Sequence, residues 1–178
     1  MKLLFASDIH GSAFYCRQLI EAIHRENPDK VVLLGDLLYH GPRNDLPQEY
    51  APKQVIAMLN GVKDRLICVR GNCEAEVDQM VLEFPCMADY IVLYADNKVI
   101  YATHGHIYNQ NNLLPMNKGE YLIHGHTHIP VCVEEDGITI MNPGSVSIPK
   151  ENSWHGYMIF ENGEFAWKDL QGNVMTVK

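Results

Sequence analysis

A chain of 178 residues, 47% hydrophobic and 20% charged, has the size and balance of about one soluble domain with a full core. Its formal charge of −8 excludes a general polyanion binder and makes nucleic acid an unsuitable partner, because non-specific affinity for it comes from lysines and arginines that displace counterions. The apolar run after Met1-Lys2 is too short for a secretory signal and no stretch reaches membrane-spanning length. Five cysteines at irregular spacing then point to reduced thiols in a cytoplasmic protein.

In chain order, residues 3–6 read as a short strand with the polar exit Ser7-Asp8-Ile9-His10-Gly11. Residues i and i+2 of extended chain share a face, so Asp8 and His10 can reach one ion while Ile9 turns to the core. Ser12 is a good N-cap, and Cys16, Leu19, Ile20 and Ile23 recur at helical spacing until Asn27-Pro28. The run Val31-Val32-Leu33-Leu34 is a strand buried on both faces, parallel to the first through the β-α-β connection, and it ends at Gly35-Asp36.

The polar segment 37–50 is long for a plain connection and reads as a functional loop carrying His40 and Arg43. A helix starts near Pro52 with Val55, Ile56 and Leu59 inward and Gly61 as its stop. A third buried strand, 66–69, leads into Arg70-Gly71-Asn72-Cys73-Glu74, and Val77, Met80, Val81 and Phe84 mark one more short helix.

From Met87 the pattern becomes mostly β. Short strands are expected near 90–94, 99–103, 120–124, 131–134, 138–141, 157–160 and 165–168, with hairpin signals at Asp96-Asn97, Asp136-Gly137 and Asn162-Gly163. No repeat or linker separates the halves, so residues 1–178 read as one domain of two sheets.

Each of five apolar runs ends in metal-type ligands: Asp8 and His10, Asp36, Asn72, His104, and His126 with His128. Such a mixed oxygen and nitrogen set suits borderline divalent ions, Mn²⁺ foremost, with Fe²⁺, Co²⁺, Ni²⁺ or Zn²⁺ as alternatives. The expected arrangement is two ions bridged by Asp36. Arg43 reads as a grip on a phosphate oxygen or as a solvated loop arginine, and His106 as a substrate or ligand-supporting contact or as a loop histidine. His40 is a further candidate substrate contact. His124 reads as a structural histidine, His24 and His155 as surface residues, and Cys16, Cys68, Cys86 and Cys132 as core. Asn142-Pro143-Gly144-Ser145 reads as a tight turn that also lines the site.

These blocks resemble the calcineurin-like metallophosphoesterases, whose pattern of Asp-x-His, Gly-Asp, Gly-Asn-His-Asp/Glu, His and Gly-His-x-His is matched in order from residue 8 to 128. With His40-Gly41-Pro42-Arg43-Asn44 and the stretch from Asn142 to Pro149, the resemblance narrows to the small bacterial phosphodiesterases of the YfcE type. It implies an α/β fold, a four-layer α/β/β/α sandwich of two mixed sheets. It also implies that Asp8, His10 and His128 hold one ion and Asn72, His104 and His126 the other, with Asp36 shared. Ions roughly 3.5 to 4 Å apart can turn a bridging water into an attacking hydroxide.

The resemblance thus implies a metal-dependent hydrolase of small or activated phosphodiesters, with Asp36, Asn72 and Cys73 as catalytic residues. A phosphomonoesterase, a nucleotide-directed hydrolase and a non-catalytic scaffold are the alternatives. Cys73 stands where the wider family has a histidine that protonates the leaving oxygen, which shifts the expected preference toward aryl and other activated leaving groups. Apolar residues in the β-rich half allow a homo-oligomer, a dimer or tetramer.

Overall fold

The computed structural model describes residues 1–177. Its centre is strand β1 (Leu3–Ala6), buried at every residue, with β2 (Lys30–Leu33) and β3 (Leu66–Cys68) laid parallel beside it in succession. Helix α1 (Ala13–Glu26) makes the first crossover. Its N-cap is Ser12, whose Oγ accepts from the Tyr15 N–H at 3.3 Å, and it ends at a left-handed Asn27. Helix α2 (Pro52–Asn60) has proline in its first turn, where no helical hydrogen bond is lost.

Both helices bury their apolar stripes on one face of this sheet. Cys16, Leu19 and Ile23 of α1 and Val55 and Leu59 of α2 pack with Leu4, Ala6, Val31 and Leu33. Complete burial of one such aliphatic side chain contributes on the order of 2 kcal/mol, so alternate residues of β1 are each worth a good share of the net stability.

The remaining elements are β4 (Tyr90–Ala95), β5 (Lys98–Thr103), β6 (Tyr121–Ile123), β7 (Val131–Glu135), β8 (Ile138–Asn142), β9 (Gly156–Glu161), β10 (Glu164–Asp169) and β11 (Val174–Met175). The first five of these form a second mixed sheet in the order β4-β5-β6-β8-β7. The last three return to the first sheet, giving β11-β10-β9-β1-β2-β3. Three hairpins turn where expected, with Asp96, Asn97, Asp136, Gly137, Asn162 and Gly163 all at positive φ. Buried Glu26 pins the returning strands to α1, accepting from Tyr157 Oη at 2.9 Å and Lys168 Nζ at 2.7 Å.

The two sheets meet through Leu3, Phe5, Val32 and Leu34 on one side and Ile100, Ala102, Ile123 and Met141 on the other. Outside the second sheet, Leu122, Ile138 and Ile140 are covered by Leu113 and Met116. These two come from an irregular segment, so the outer layer on this side is non-helical chain.

Three expectations need correction. The short helix α3 (Glu76–Val81) forms, but Val77, Met80 and Val81 are exposed at 60%, 82% and 39%, and only Leu82 and Phe84 beyond its end reach the core. Hydrogen bonds from the Gln79 amide to the carbonyls of Leu82 and Phe84 hold it instead of an apolar face. Cys132 is exposed on the edge strand β7, not core. His155 is half-buried, stacked on Tyr15 at 3.9 Å with its Nδ1 bonded to the Val146 carbonyl. All five cysteines are free, and among the described residues no helix is long and apolar enough to cross a membrane.

Candidate metal centre

The carboxyl ends of β1, β2, β3, β5 and β6 open toward one edge of the sandwich, and the ligand-bearing turns follow directly from them. Backbone bonding between the first two strands continues past their ends: Asp8 N to Gly35 O at 3.1 Å, His10 N to Asp36 O at 2.9 Å and Gly11 N to Leu37 O at 2.9 Å. That continuation places Asp8 and His10 against Asp36. Five of the candidate ligands sit in the left-handed region, Asp8 (φ 59°), His10 (49°), Asp36 (55°), His126 (68°) and His128 (63°). Each such residue costs on the order of 1 kcal/mol, and the surrounding bonds hold that strain in place. Gly125 is required by close approach, since a Cβ there would collide with Ser7 Oγ.

Two clusters result. In the first, His10 Nε2 and His128 Nε2 lie 3.2 Å apart, with Asp8 Oδ1 at 3.5 Å and 3.2 Å from them. The Nδ1 of His10 donates to Tyr39 O at 2.8 Å and that of His128 to Ile148 O at 2.7 Å. With each Nδ1 donating outward, the two Nε2 atoms face each other beside Asp8 Oδ1, which is buried without any hydrogen-bond partner. A cation or a proton must sit among them, and two imidazoles with a carboxylate at these separations fit one divalent ion.

In the second cluster, His104 Nε2 stands 3.1 Å from Asn72 Oδ1, 3.2 Å from His126 Nδ1 and 3.4 Å from Asp36 Oδ2. Its own Nδ1 donates to Leu34 O at 2.7 Å, which again aims the Nε2 lone pair inward. Asp36 Oδ2 is also 3.7 Å from His10 Nε2, so this one atom lies between the clusters. All seven residues expected as ligands are thus brought together.

Residues outside the ligand set hold them. Glu74, buried, accepts from the backbone N–H groups of Asp36 (2.8 Å), Leu37 (2.7 Å) and Gly71 (2.6 Å), tying the β2 exit to the β3 exit. Ser145 Oγ and Ser147 Oγ both donate to the Asp8 carbonyl, and Asn142 Nδ2 donates to Gly125 O at 2.8 Å and Thr127 Oγ1 at 3.0 Å. The Asn142-Pro143-Gly144-Ser145 turn therefore clamps these loops from behind and, contrary to the expectation that it lines the site, is not among the cavity walls. Neither Glu74 nor this clamp is announced by composition; only Glu74's place after Gly-Asn-Cys hints at it.

Charge is concentrated at the floor. Burial works against ionised Asp8, yet the imidazoles of His10 and His128 outweigh it and hold the carboxyl well below the usual range. Burial likewise disfavours charged His104, but its contact with Asp36 and the nearby Asp8 raise it to about 9. Burial and the adjacent His104 push His126 down to about 4. Burial, then the Asp36 carboxylate, push the Cys73 thiol well above its ordinary value.

A ligating imidazole must be neutral, so loading the metal-free protein near neutral pH displaces the His104 proton. Metal affinity is therefore expected to rise with pH up to about 9 and fall below it. In the metal-free protein the same raised value has the opposite consequence: the stability contributed by protonated His104 is fully present below 6.5 and lost as pH rises through about 9. Calorimetric titration of one divalent ion across pH in two buffers checks the first statement through proton release; pH-independent affinity would contradict it.

A cavity of about 390 Å³ opens above the clusters, walled by His10, Asp36, Asn72, Cys73, His126 and His128, with Arg43 and Lys150 at its rim. Arg43 thus stands where a phosphate grip was expected. Lys150 has no signal in the sequence; its backbone N–H donates to the carbonyl of the candidate ligand His128 at 3.1 Å. His40 and His106 are not among the walls. His40 is packed edge-on between Tyr39 and Tyr50, because both rings flank its loop, and His106 lies behind His104 at 5.3 Å between ring centroids. Cys73 Sγ sits 3.3 Å from Asp36 Oδ2. His124 is buried with Nδ1 near the Gly125 carbonyl, away from the cavity.

A fold of two mixed sheets with this ligand set at its edge defines a metallophosphoesterase. The calcineurin-like phosphoesterase superfamily domain matches residues 1–164, and the chain belongs to that family. It is 44% identical over 162 residues to phosphodiesterase YfcE of Escherichia coli strain K12, covering 91% of this chain and 88% of that one. The solved structure of the E. coli YfcE phosphoesterase superposes with a TM-score of 0.95 at 41% identity, over 99% of this chain and 97% of the other. Phosphodiesterase MJ0936 of Methanocaldococcus jannaschii is 28% identical over 153 residues, covering 81% of this chain and 83% of its own.

Proposed function

We propose that this protein is a cytoplasmic, binuclear metal-dependent phosphodiesterase acting on small or activated diesters. The observation that carries the reading is Asp36 Oδ2, poised 3.7 Å from His10 Nε2 and 3.4 Å from His104 Nε2 between two buried donor sets. Asp8, His10 and His128 would hold one ion, Asn72, His104 and His126 the other, and Asp36 both, with Mn²⁺ the favoured metal for so many oxygen and imidazole donors. The ions would supply Lewis-acid charge to phosphoryl oxygens and acidify a water. The complete ligand set argues against a scaffold that has lost its metals, and the relatives named phosphodiesterase favour a diester substrate.

The chain's own groups do the rest. Arg43 and Lys150 line the cavity from two different loops, and neither side chain is paired with a carboxylate among the described residues, so both are free to take non-bridging phosphate oxygens. The Cys73 thiol stays protonated beside Asp36 and is a weak acid for a leaving oxygen. Aryl leaving groups, which need little protonation, therefore suit it better than alkyl ones.

Chelated protein restored with Mn²⁺ should hydrolyse a bis-aryl diester faster than an aryl monoester. Arg43→Ala and Lys150→Ala should each raise KM roughly five- to tenfold with a smaller change in kcat, as expected for one lost charge-assisted contact. A monoester preference, or turnover indifferent to chelator, would overturn the reading.

A further inference from the structure

We propose that Cys73 gives this metal centre a soft seat, in which a thiophilic divalent ion such as Cd²⁺ is held by Cys73 Sγ, Asp36 Oδ2 and His10 Nε2. The inference rests on the metal-centre reading above and concerns which ions the centre traps. One donor atom from each of the three residues lies within 4.8 Å of the others. His10 and Asp36 are 1% and 2% exposed, and the cavity leads directly to all three.

The separations suit one ion. Cys73 Sγ is 3.3 Å from Asp36 Oδ2, and Asp36 Oδ2 is 3.7 Å from His10 Nε2. With zinc-type bond lengths of about 2.3 Å to sulfur and 2.0 to 2.1 Å to nitrogen and oxygen these separations correspond to angles of roughly 100° and 125°, and the longer bonds of the larger Cd²⁺ close both toward roughly 90° and 105°, within reach of a four- to six-coordinate ion. The Asn72 amide, 3.3 Å from Sγ, steadies the sulfur on its other side.

Hard ions leave such a thiol protonated and bind through oxygen and imidazole, whereas soft ions exchange the S–H proton, released to solvent, for a metal–sulfur bond. Because His10 and Asp36 are already committed to the two expected ions, a soft ion in this seat competes with them and does not add a third. A histidine in place of Cys73 would offer no sulfur, so the soft seat belongs to this variant of the motif.

The test uses the full chain in a Cys132→Ser background, which removes the exposed thiol, titrated with Cd²⁺ alone while ultraviolet thiolate-to-cadmium charge transfer is followed and bound metal is counted by elemental analysis. The expected result is a saturable band equivalent to one Cd–S bond per chain. In the Cys73→Ser, Cys132→Ser chain the band should vanish and the preference for Cd²⁺ over Mn²⁺ fall by about tenfold or more. Cys73→Ala serves as a second variant, and Mn²⁺ loading with an unchanged circular dichroism spectrum shows that each is folded. Bound Cd²⁺ without the band, or the same band after Cys73 is replaced, would overturn the soft seat while leaving the metal centre standing. Failure of the parent chain to bind either ion would overturn both.

Discussion

Asp36→Asn is expected to lower kcat/KM on an aryl diester by at least about a thousandfold, or roughly 4 kcal/mol of barrier, and to cut bound metal below two ions per chain. The amide has nearly the same shape, and its Oδ1 can still accept the Cys73 backbone N–H that Asp36 accepts at 2.9 Å. The fold should therefore survive. What disappears is the negative charge at the one oxygen lying between His10 and His104, so neither cluster keeps its shared anion. Steady-state kinetics with metal analysis on the same samples decides the matter; a variant within tenfold of the parent and still holding two ions would refute the bridging role.

Glu74→Ala is expected to destabilise the protein by about 3 to 5 kcal/mol and to weaken metal binding, although Glu74 itself is not a ligand. Its carboxylate takes three backbone N–H groups, from Asp36, Leu37 and Gly71, and truncation leaves all three buried donors without a partner. One of them belongs to Asp36 at φ 55°, a left-handed conformation that this bond shares in holding with the His10 N–H to Asp36 carbonyl bond. For a chain of this length, losing 1 kcal/mol lowers Tm by roughly 2 to 4 °C, so a drop near 10 °C is the expected reading. Glu74→Gln should fall between, since one amide oxygen can replace part of the set while its NH₂ faces donors. Thermal unfolding with and without Mn²⁺ checks this, and an alanine variant within 2 °C of the parent would contradict it.

Much of this architecture is legible in the amino-acid order because it rests on local physics. Short, β-branched apolar runs closed by glycine, such as Val31-Val32-Leu33-Leu34 before Gly35, favour strands buried on both faces, and the three hairpin dipeptides tolerate the positive φ their turns require. That the candidate ligands would come together was readable because each follows such a run closely, so strand ends gathered at one edge gather these side chains with them. Less legible is everything that depends on partners distant in the chain. Glu74 looks like one more surface acid until the turns it bridges are placed side by side.

Lys150 reads as a loop lysine because its approach to the cavity depends on a backbone bond to His128. The left-handed ligand residues leave no compositional trace, since aspartate and histidine there replace the glycine that a turn would favour. Helix α3 shows the opposite failure: Val77, Met80 and Val81 have helical spacing and apolar character, but the helix is a single short excursion with no sheet beneath that face.

Two adjacent donor clusters that share Asp36 should hold two ions at once. Elemental analysis of the chain loaded with Mn²⁺ and freed of excess metal tests this most directly. Two ions per chain, retained through gel filtration, are expected. A single ion, or none, would contradict it.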